Sequence, residues 1–261
     1  MKAQKRDDFD EKGFLGGRVL LRQLHRGHRV GTDAALLIAA ARADAKGRVA
    51  DLGAGTGAIG LSLAVFESAL EVTLVEIDPD LAALGAENSA LNGCKERVRA
   101  LVADVEELAQ SSRLRRELGA CYDLIVMNPP FTNARVSQSS PDQGRALAHM
   151  ASKGTLARWI DAAHFLLKPK GVLIAIYRPD ALGEVLTALE PRFSSIALRP
   201  VLARAQEAAT RLLIRAQKGG RAPLKLLAPL VLHEKDGSFT SFAAAIHGGE
   251  AELSFRQTSD A

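Results

Sequence analysis

Residues Arg48 to Gly60 read RVADLGAGTGAIG, a short apolar run that passes directly into a turn with glycine at positions 53, 55 and 57 and then into a helix-forming stretch. Glycine allows a tight turn and lets the backbone approach a ligand with no Cβ in the way, while the start of the helix offers unpaired N–H groups. The unit this dictates is strand, ligand-edge turn, helix. The remainder of the chain repeats it. Strands are expected at Glu71–Ile77, Val98–Ala103, Tyr122–Met127 and Gly171–Tyr177, and helices at Gly57–Phe66, Pro79–Asn92, Val105–Leu118, Ser152–Leu167 and Asp180–Leu189. Because the strands are apolar almost throughout, they predict an α/β fold with a parallel sheet covered on both faces by helices.

After Pro191 the rhythm changes. Ser195–Val201 and Thr210–Ala216 predict an antiparallel pair at the sheet edge, and Leu224–His233 a further strand before the apolar tail Phe239–Ile246. The organisation expected is a basic N-terminal arm over residues 1–31 and one domain over 32–261, with a C-terminal extension from about residue 220.

The 261 residues are 47% hydrophobic and 25% charged, which excludes disordered, collagen-like and coiled-coil classes. Cys94 and Cys121 form no CxxC motif and the six histidines show no ligand spacing, so neither a disulfide framework nor a metal is expected. Arg18 and Arg22 interrupt the first apolar stretch, and no run approaches the roughly 18 residues of a membrane span. A cytoplasmic protein without membrane contact is expected, and its oligomeric state is not encoded in any readable feature.

The net charge of +4 is unevenly placed: residues 1–31 carry +4, residues 192–225 carry +7 and the rest −7. Two basic segments flanking an acidic body predict a polyanion-binding face if both ends converge. Arg26, Arg29, Arg199 and Arg204 are the candidates for phosphate contact, with solvated surface charge as the alternative.

Acids close three successive strands. Glu76 stands 25 residues after Asp51, where doubly wound folds place a carboxylate that binds ribose hydroxyls. Asp78 is expected to cap the next helix instead. Asp104 ends the third strand, with a base amino group as its expected partner. Gly55, Gly57 and Gly60 also satisfy GxGxxG, so a dinucleotide-binding oxidoreductase stays open from these residues alone.

The fourth strand, YDLIVM, runs into Asn128, Pro129, Pro130 and Phe131. Neither proline has an N–H and both have a fixed φ, so the carbonyls of Asn128 and Pro129 project as acceptors without a local donor. Together with the Asn128 side-chain oxygen beside an aromatic ring, they suit a planar substrate bearing an NH2 group. Accepting its two N–H bonds favours the more tetrahedral, more nucleophilic nitrogen, and Phe131 would stack on the ring.

These motifs resemble those of the Rossmann-like, S-adenosylmethionine-dependent methyltransferases of the small-domain N-methylating group: DLGAGTG the first, VEID the second, Ala103-Asp104 the adenine-contacting element and NPPF the catalytic motif. The resemblance spans about residues 25–190 and implies a seven-stranded sheet with an antiparallel last strand. It further implies S-adenosyl-L-methionine held by Asp51, Gly53, Gly55, Gly57, Glu76, Ile77, Asp104, Val105 and Asn128, with Thr32 and Asp33 near its methionine moiety. The latter two equally suit an N-cap for a helix from Ala34.

Within the group, HRVGTDAALLIAA and SPDQGRALAHM are most similar to the bacterial tRNA1(Val) adenine-N6 methyltransferases, which implies tRNA as the partner and an exocyclic adenine nitrogen as the acceptor. Guanine-N2 rRNA and release-factor glutamine methyltransferases share the NPP-aromatic motif but usually carry a domain ahead of the fold. The stretch before Asp51 is short for one. A small-molecule oxygen acceptor and a non-catalytic RNA-binding module are the remaining alternatives.

Overall fold

The structure, a computed structural model, describes residues 9–25, 30–111, 114, 118–130 and 154–255. Phe131, Arg26, Arg29 and the Ser-rich stretch after the NPPF motif lie outside them.

The first element is a hairpin of β1 (Phe9–Phe14) and β2 (Val19–Leu24), joined through Leu15, Gly16 and Gly17, all at positive φ. Then follow α1 (Thr32–Arg42), β3 (Arg48–Leu52), α2 (Ala58–Phe66), β4 (Glu71–Glu76), α3 (Pro79–Leu91), β5 (Val98–Val102) and a 3₁₀ turn at Val105–Glu107. The second half contains β6 (Tyr122–Met127), α4 (Thr155–Leu166), β7 (Leu167–Tyr177), α5 (Leu182–Leu189), β8 (Ser194–Leu202), β9 (Ala209–Gln217), the short β10 (Lys225–Leu226) and β11 (Leu230–Val231), and α6 (Ser241–His247).

Seven strands form the expected sheet in the order β8-β9-β7-β6-β3-β4-β5, and β10 and β11 extend it beyond β8. All neighbours are parallel except at β9, which runs antiparallel to both β7 and β8. The carboxyl ends of β3, β4, β5, β6, β7 and β8 therefore share one edge. Helices cover both faces, and two apolar clusters fill the layers: one contains α1, α2 and Leu74, the other α4, α5 and Trp159.

Several sequence expectations change. Val105–Leu118, expected as one helix, opens instead as the 3₁₀ turn Val105–Glu107, with the Asp104 carboxylate accepting from the Glu106 N–H, and continues as turn through Gln110. The run Leu224–His233 forms two short strands and not one, because Pro229 has no N–H to continue the ladder. The apolar tail is the helix α6, opened by Thr240, whose hydroxyl accepts from the Ala243 N–H at 3.2 Å. Residues 9–24, expected as part of an arm, are a hairpin whose Leu15, Val19 and Leu21 are buried in the same cluster as α1 and α2.

Candidate active site

Pairing of Leu52 with Met127 and with Val75 aligns the strand tips, so Asn128, Gly53 and Glu76 follow in adjacent strands. Glu76 in turn pairs with Val102, and its carbonyl accepts from the Ala103 N–H at 3.0 Å, which places Asp104 next along the same edge. The motifs separated in sequence are thus brought into one row.

Each acid in this row is held from the backbone. Glu76 is buried, and its two carboxylate oxygens accept from the N–H groups of Gly55 at 2.7 Å and Asp78 at 3.0 Å. Asp78 caps α3 by accepting from Asp80 and Leu81, as its position predicts. Asp104 Oδ1 accepts from the Glu106 N–H at 2.8 Å and opens the 3₁₀ turn. Ile77 is 54% exposed at the edge, an apolar surface for a planar group, whereas Val105 is buried in the second cluster.

Asp51 lies fully inside. Its Oδ2 accepts from the Gly60 N–H at 2.8 Å while its Oδ1 has no partner among the described residues. Burial, with the negative charge of Glu76 nearby, pushes its carboxyl up to about 7, against the lowering effect of the Gly60 bond. Asn128 Oδ1 is likewise buried without a described partner. Two unpartnered acceptors thus stand on neighbouring strands, and both are suited to donors arriving with a ligand.

The glycines divide by function. A Cβ at Gly57 or Gly60 would stand 2.7 Å from the Leu74 side chain, so these two allow α2 to lie close on β4. At Gly55, with φ +55°, nothing lies within 4 Å of that direction, and the backbone is open there.

This arrangement disfavours a dinucleotide. A pyrophosphate needs free N–H groups at the turn, but Gly53 and Ala54 donate to the Val75 carbonyl, Gly55 to Glu76, Gly57 to the Ala54 carbonyl and Gly60 to Asp51. It would also meet the Asp51 and Glu76 carboxyls. A ligand with cationic groups meets a favourable field instead.

Thr32 and Asp33 do not cap α1. Gly31 is its N-cap and no side chain caps the helix, while the Asp33 carboxylate accepts from Arg211 Nε at 3.0 and 2.9 Å. That pair joins the start of α1 to β9 near its ligand-edge end.

The late basic segment is largely neutralised within the fold. Arg192 pairs with Asp161, Arg215 with Asp44, and Lys218 donates to the carbonyls of His164 and Leu167. Arg199 donates from its two terminal nitrogens to the carbonyls of Ala228 and Ser254, both at 2.9 Å, so it braces the C-terminal segments against β8. Arg204, paired with Glu207 at 3.3 Å on the surface, and the exposed Arg221 and Lys225 keep the character expected of a phosphate contact. The +7 read from the sequence is therefore not wholly a free cationic face, since the acidic body supplies counter-charges to Arg192, Arg211 and Arg215.

Two participants were not singled out for their roles. Asn88 and Asn92 anchor the N-terminal hairpin, and their i, i+4 spacing in AENSALNG was the available signal. Trp159 is 8% exposed and backs onto the glycine turn. Among the described residues, no group of His, Cys, Asp and Glu could hold a metal ion, and no helix is long and apolar enough to cross a membrane.

The strand order, the single antiparallel strand and the acid-lined tips define a Rossmann-like methyltransferase fold. Residues 25–196 match the methyltransferase small domain family, and the chain belongs to it. It is 30% identical over 227 residues to the tRNA1(Val) (adenine(37)-N6)-methyltransferase of Aeromonas hydrophila, covering 84% of this chain and 90% of that one. The protein of the same name from Porphyromonas gingivalis is 35% identical over 161 residues, 60% of this chain and 61% of that one. The crystal structure of protein Atu636 from Agrobacterium tumefaciens, described as a predicted O-methyltransferase, superposes with a TM-score of 0.69 at 30% identity, covering 85% of this chain and 98% of that chain.

Proposed function

We propose that this protein is an S-adenosylmethionine-dependent methyltransferase acting on the exocyclic N6 of an adenine in tRNA, and that it works in the cytoplasm. The observation that carries the reading is the row of Asn128, the glycine turn, Glu76 and Asp104 at adjacent strand tips, with Asp51 Oδ1 and Asn128 Oδ1 unpartnered among the described residues.

The residues fit the cofactor. Glu76 retains acceptor capacity for the ribose hydroxyls, Asp104 Oδ2 and Ile77 stand where an adenine amine and ring face would be met, and the open backbone at Gly55 leaves room for the amino-acid end. When bound, the cofactor supplies an electrophilic methyl group on a cationic sulfonium. Asp51 and Glu76 favour that charge electrostatically.

The chain's own part in the chemistry centres on Asn128. Its side-chain oxygen and the carbonyls before the two prolines accept the amine's N–H bonds and hold the nitrogen lone pair out of conjugation with the ring. Because those carbonyls are fixed by Pro129 and Pro130, little reorganisation is needed as the amine changes shape. Phe131, outside the described residues, is proposed to stack on the extruded base.

The test is Asn128→Ala. S-adenosylhomocysteine binding, measured by calorimetry, should persist, while turnover on tRNA should fall by about 10²–10³-fold. Mass spectrometry of nucleosides from the treated tRNA should show N6-methyladenosine. Unchanged turnover in the variant would overturn the assigned role of Asn128, and a methylated guanine or protein product would overturn the acceptor.

A further inference from the structure

Among the described residues no strand lies beside the outer edge of β2; two asparagine side chains take that place. Asn92 Oδ1 accepts from the Leu20 N–H at 2.9 Å and its Nδ2 donates to the Leu20 carbonyl at 2.7 Å. One helical turn earlier, Asn88 Oδ1 accepts from the Arg22 N–H at 2.8 Å and its Nδ2 donates to the Arg22 carbonyl at 3.1 Å. The match is geometric: residues four apart on a helix rise about 6 Å, and alternate residues of a strand about 6.7 Å. The two amides of α3 thus act as the missing strand.

Asn88 does more than Asn92. The same Nδ2 donates to the Thr56 carbonyl at 3.0 Å, inside the glycine turn, and the residue is wholly buried. Thr56 lies between Gly55, where the backbone is open, and Gly57, which starts α2 at φ +85°. The remaining described bonds of the turn come from β3, β4, α2 and the turn itself. Among the described residues, Asn88 is therefore the side chain that hydrogen-bonds both the hairpin and the ligand-facing turn.

We infer that Asn88 is a positioning residue that makes the order of the glycine turn, and so cofactor affinity, depend on the N-terminal hairpin being docked. With β2 in place, both donors of Nδ2 are directed and the Thr56 peptide is held. When β2 lifts, the amide is released to rotate and the turn loosens. The inference rests on the reading that this turn binds S-adenosylmethionine, although the coupling itself exists without ligand.

Two variants and two readouts separate the possibilities. Asn88→Ala touches both turn and hairpin; Asn92→Ala touches the hairpin and the end of α3, where Nδ2 also donates to the Asn88 carbonyl at 2.8 Å, but makes no bond to the glycine turn. S-adenosylhomocysteine affinity, measured by calorimetry, should fall by about tenfold or more in Asn88→Ala and by about threefold in Asn92→Ala. Amide exchange at Gly55 and Gly57, measured without ligand, should quicken in both. A purely structural role would lower the melting temperature and leave affinity and turn exchange as in the wild type, which overturns the inference. If Asn88→Ala does not fold, Asn92→Ala decides on both readouts. If the wild type binds no S-adenosylhomocysteine, the cofactor reading fails, and turn exchange in Asn92→Ala still decides the coupling.

Discussion

The ring of Trp159 occupies the space that a side chain at Gly53 would need: a Cβ built on Gly53 would stand 2.5 Å from Trp159 Cη2 and 3.0 Å from Cζ3. Gly53 also has φ +71°, so the position excludes other residues twice over, by backbone and by contact. Gly53→Ala should destabilise the fold by about 3 kcal/mol, combining left-handed strain with overpacking. Urea unfolding would measure it. Adding Trp159→Phe, which removes the outer ring, should restore part of the loss; a double variant no more stable than Gly53→Ala would refute the contact as the cause.

Asp51 should give the fold a distinctive pH dependence. Burial raises its carboxyl to about 7 from an ordinary 3.8, so the folded chain holds a proton that the unfolded chain releases. Stability from this group is therefore full below about pH 4, falls as pH rises to about 7, and then levels off. The loss over that window is of the order of 4 kcal/mol. Asn at position 51 cannot ionise, so the stability of Asp51→Asn relative to the wild type should increase between pH 5 and 8. Parallel unfolding curves over that range would reject the assignment.

Arg199 and Arg204 should separate in experiment although the sequence presents them alike. Arg199→Ala removes the donors to the Ala228 and Ser254 carbonyls and should cost about 1–3 kcal/mol. Limited proteolysis should then cut first within residues 224–255. Arg204→Ala, on the surface with Glu207, should change stability by no more than about 0.5 kcal/mol. Equal protease sensitivity in the two variants would contradict the bracing role.

If Arg26 and Arg29 contact RNA phosphates, replacing both by Ala should weaken tRNA binding for all sequences alike. The slope of log affinity against log salt should drop by about one per charge removed. S-adenosylhomocysteine affinity should be unaffected. Salt titrations that superpose for the double variant and the wild type would exclude these two arginines from the interface.

Apart from Val105–Leu118, which opens as a 3₁₀ turn, the alternation of strands and helices from Arg48 to Leu189 was legible because each element carries its own periodicity and its own punctuation, such as Pro79 at the start of α3 and the glycines after β3. The candidate site was legible for the same reason: in a parallel sheet every strand tip faces one edge, so Asp51, Glu76, Asp104 and Asn128 had only to end their strands to be brought together. What the linear order could not supply were partners fixed by distant chain. The binding of Asp33 to Arg211, the carbonyls that hold Arg199 and the role of Asn88 between Arg22 and Thr56 join segments 178, 29 and 55, and 66 and 32 residues apart. Charge counts along the sequence read Arg192, Arg211 and Arg215 as a cationic face, because counting does not register that Asp161, Asp33 and Asp44 lie opposite them. Local propensity determines which elements form and where their tips carry chemistry; only tertiary packing decides which charges and amides remain available to a ligand, because neutralisation and hydrogen bonding depend on distance in space and not on position in the chain.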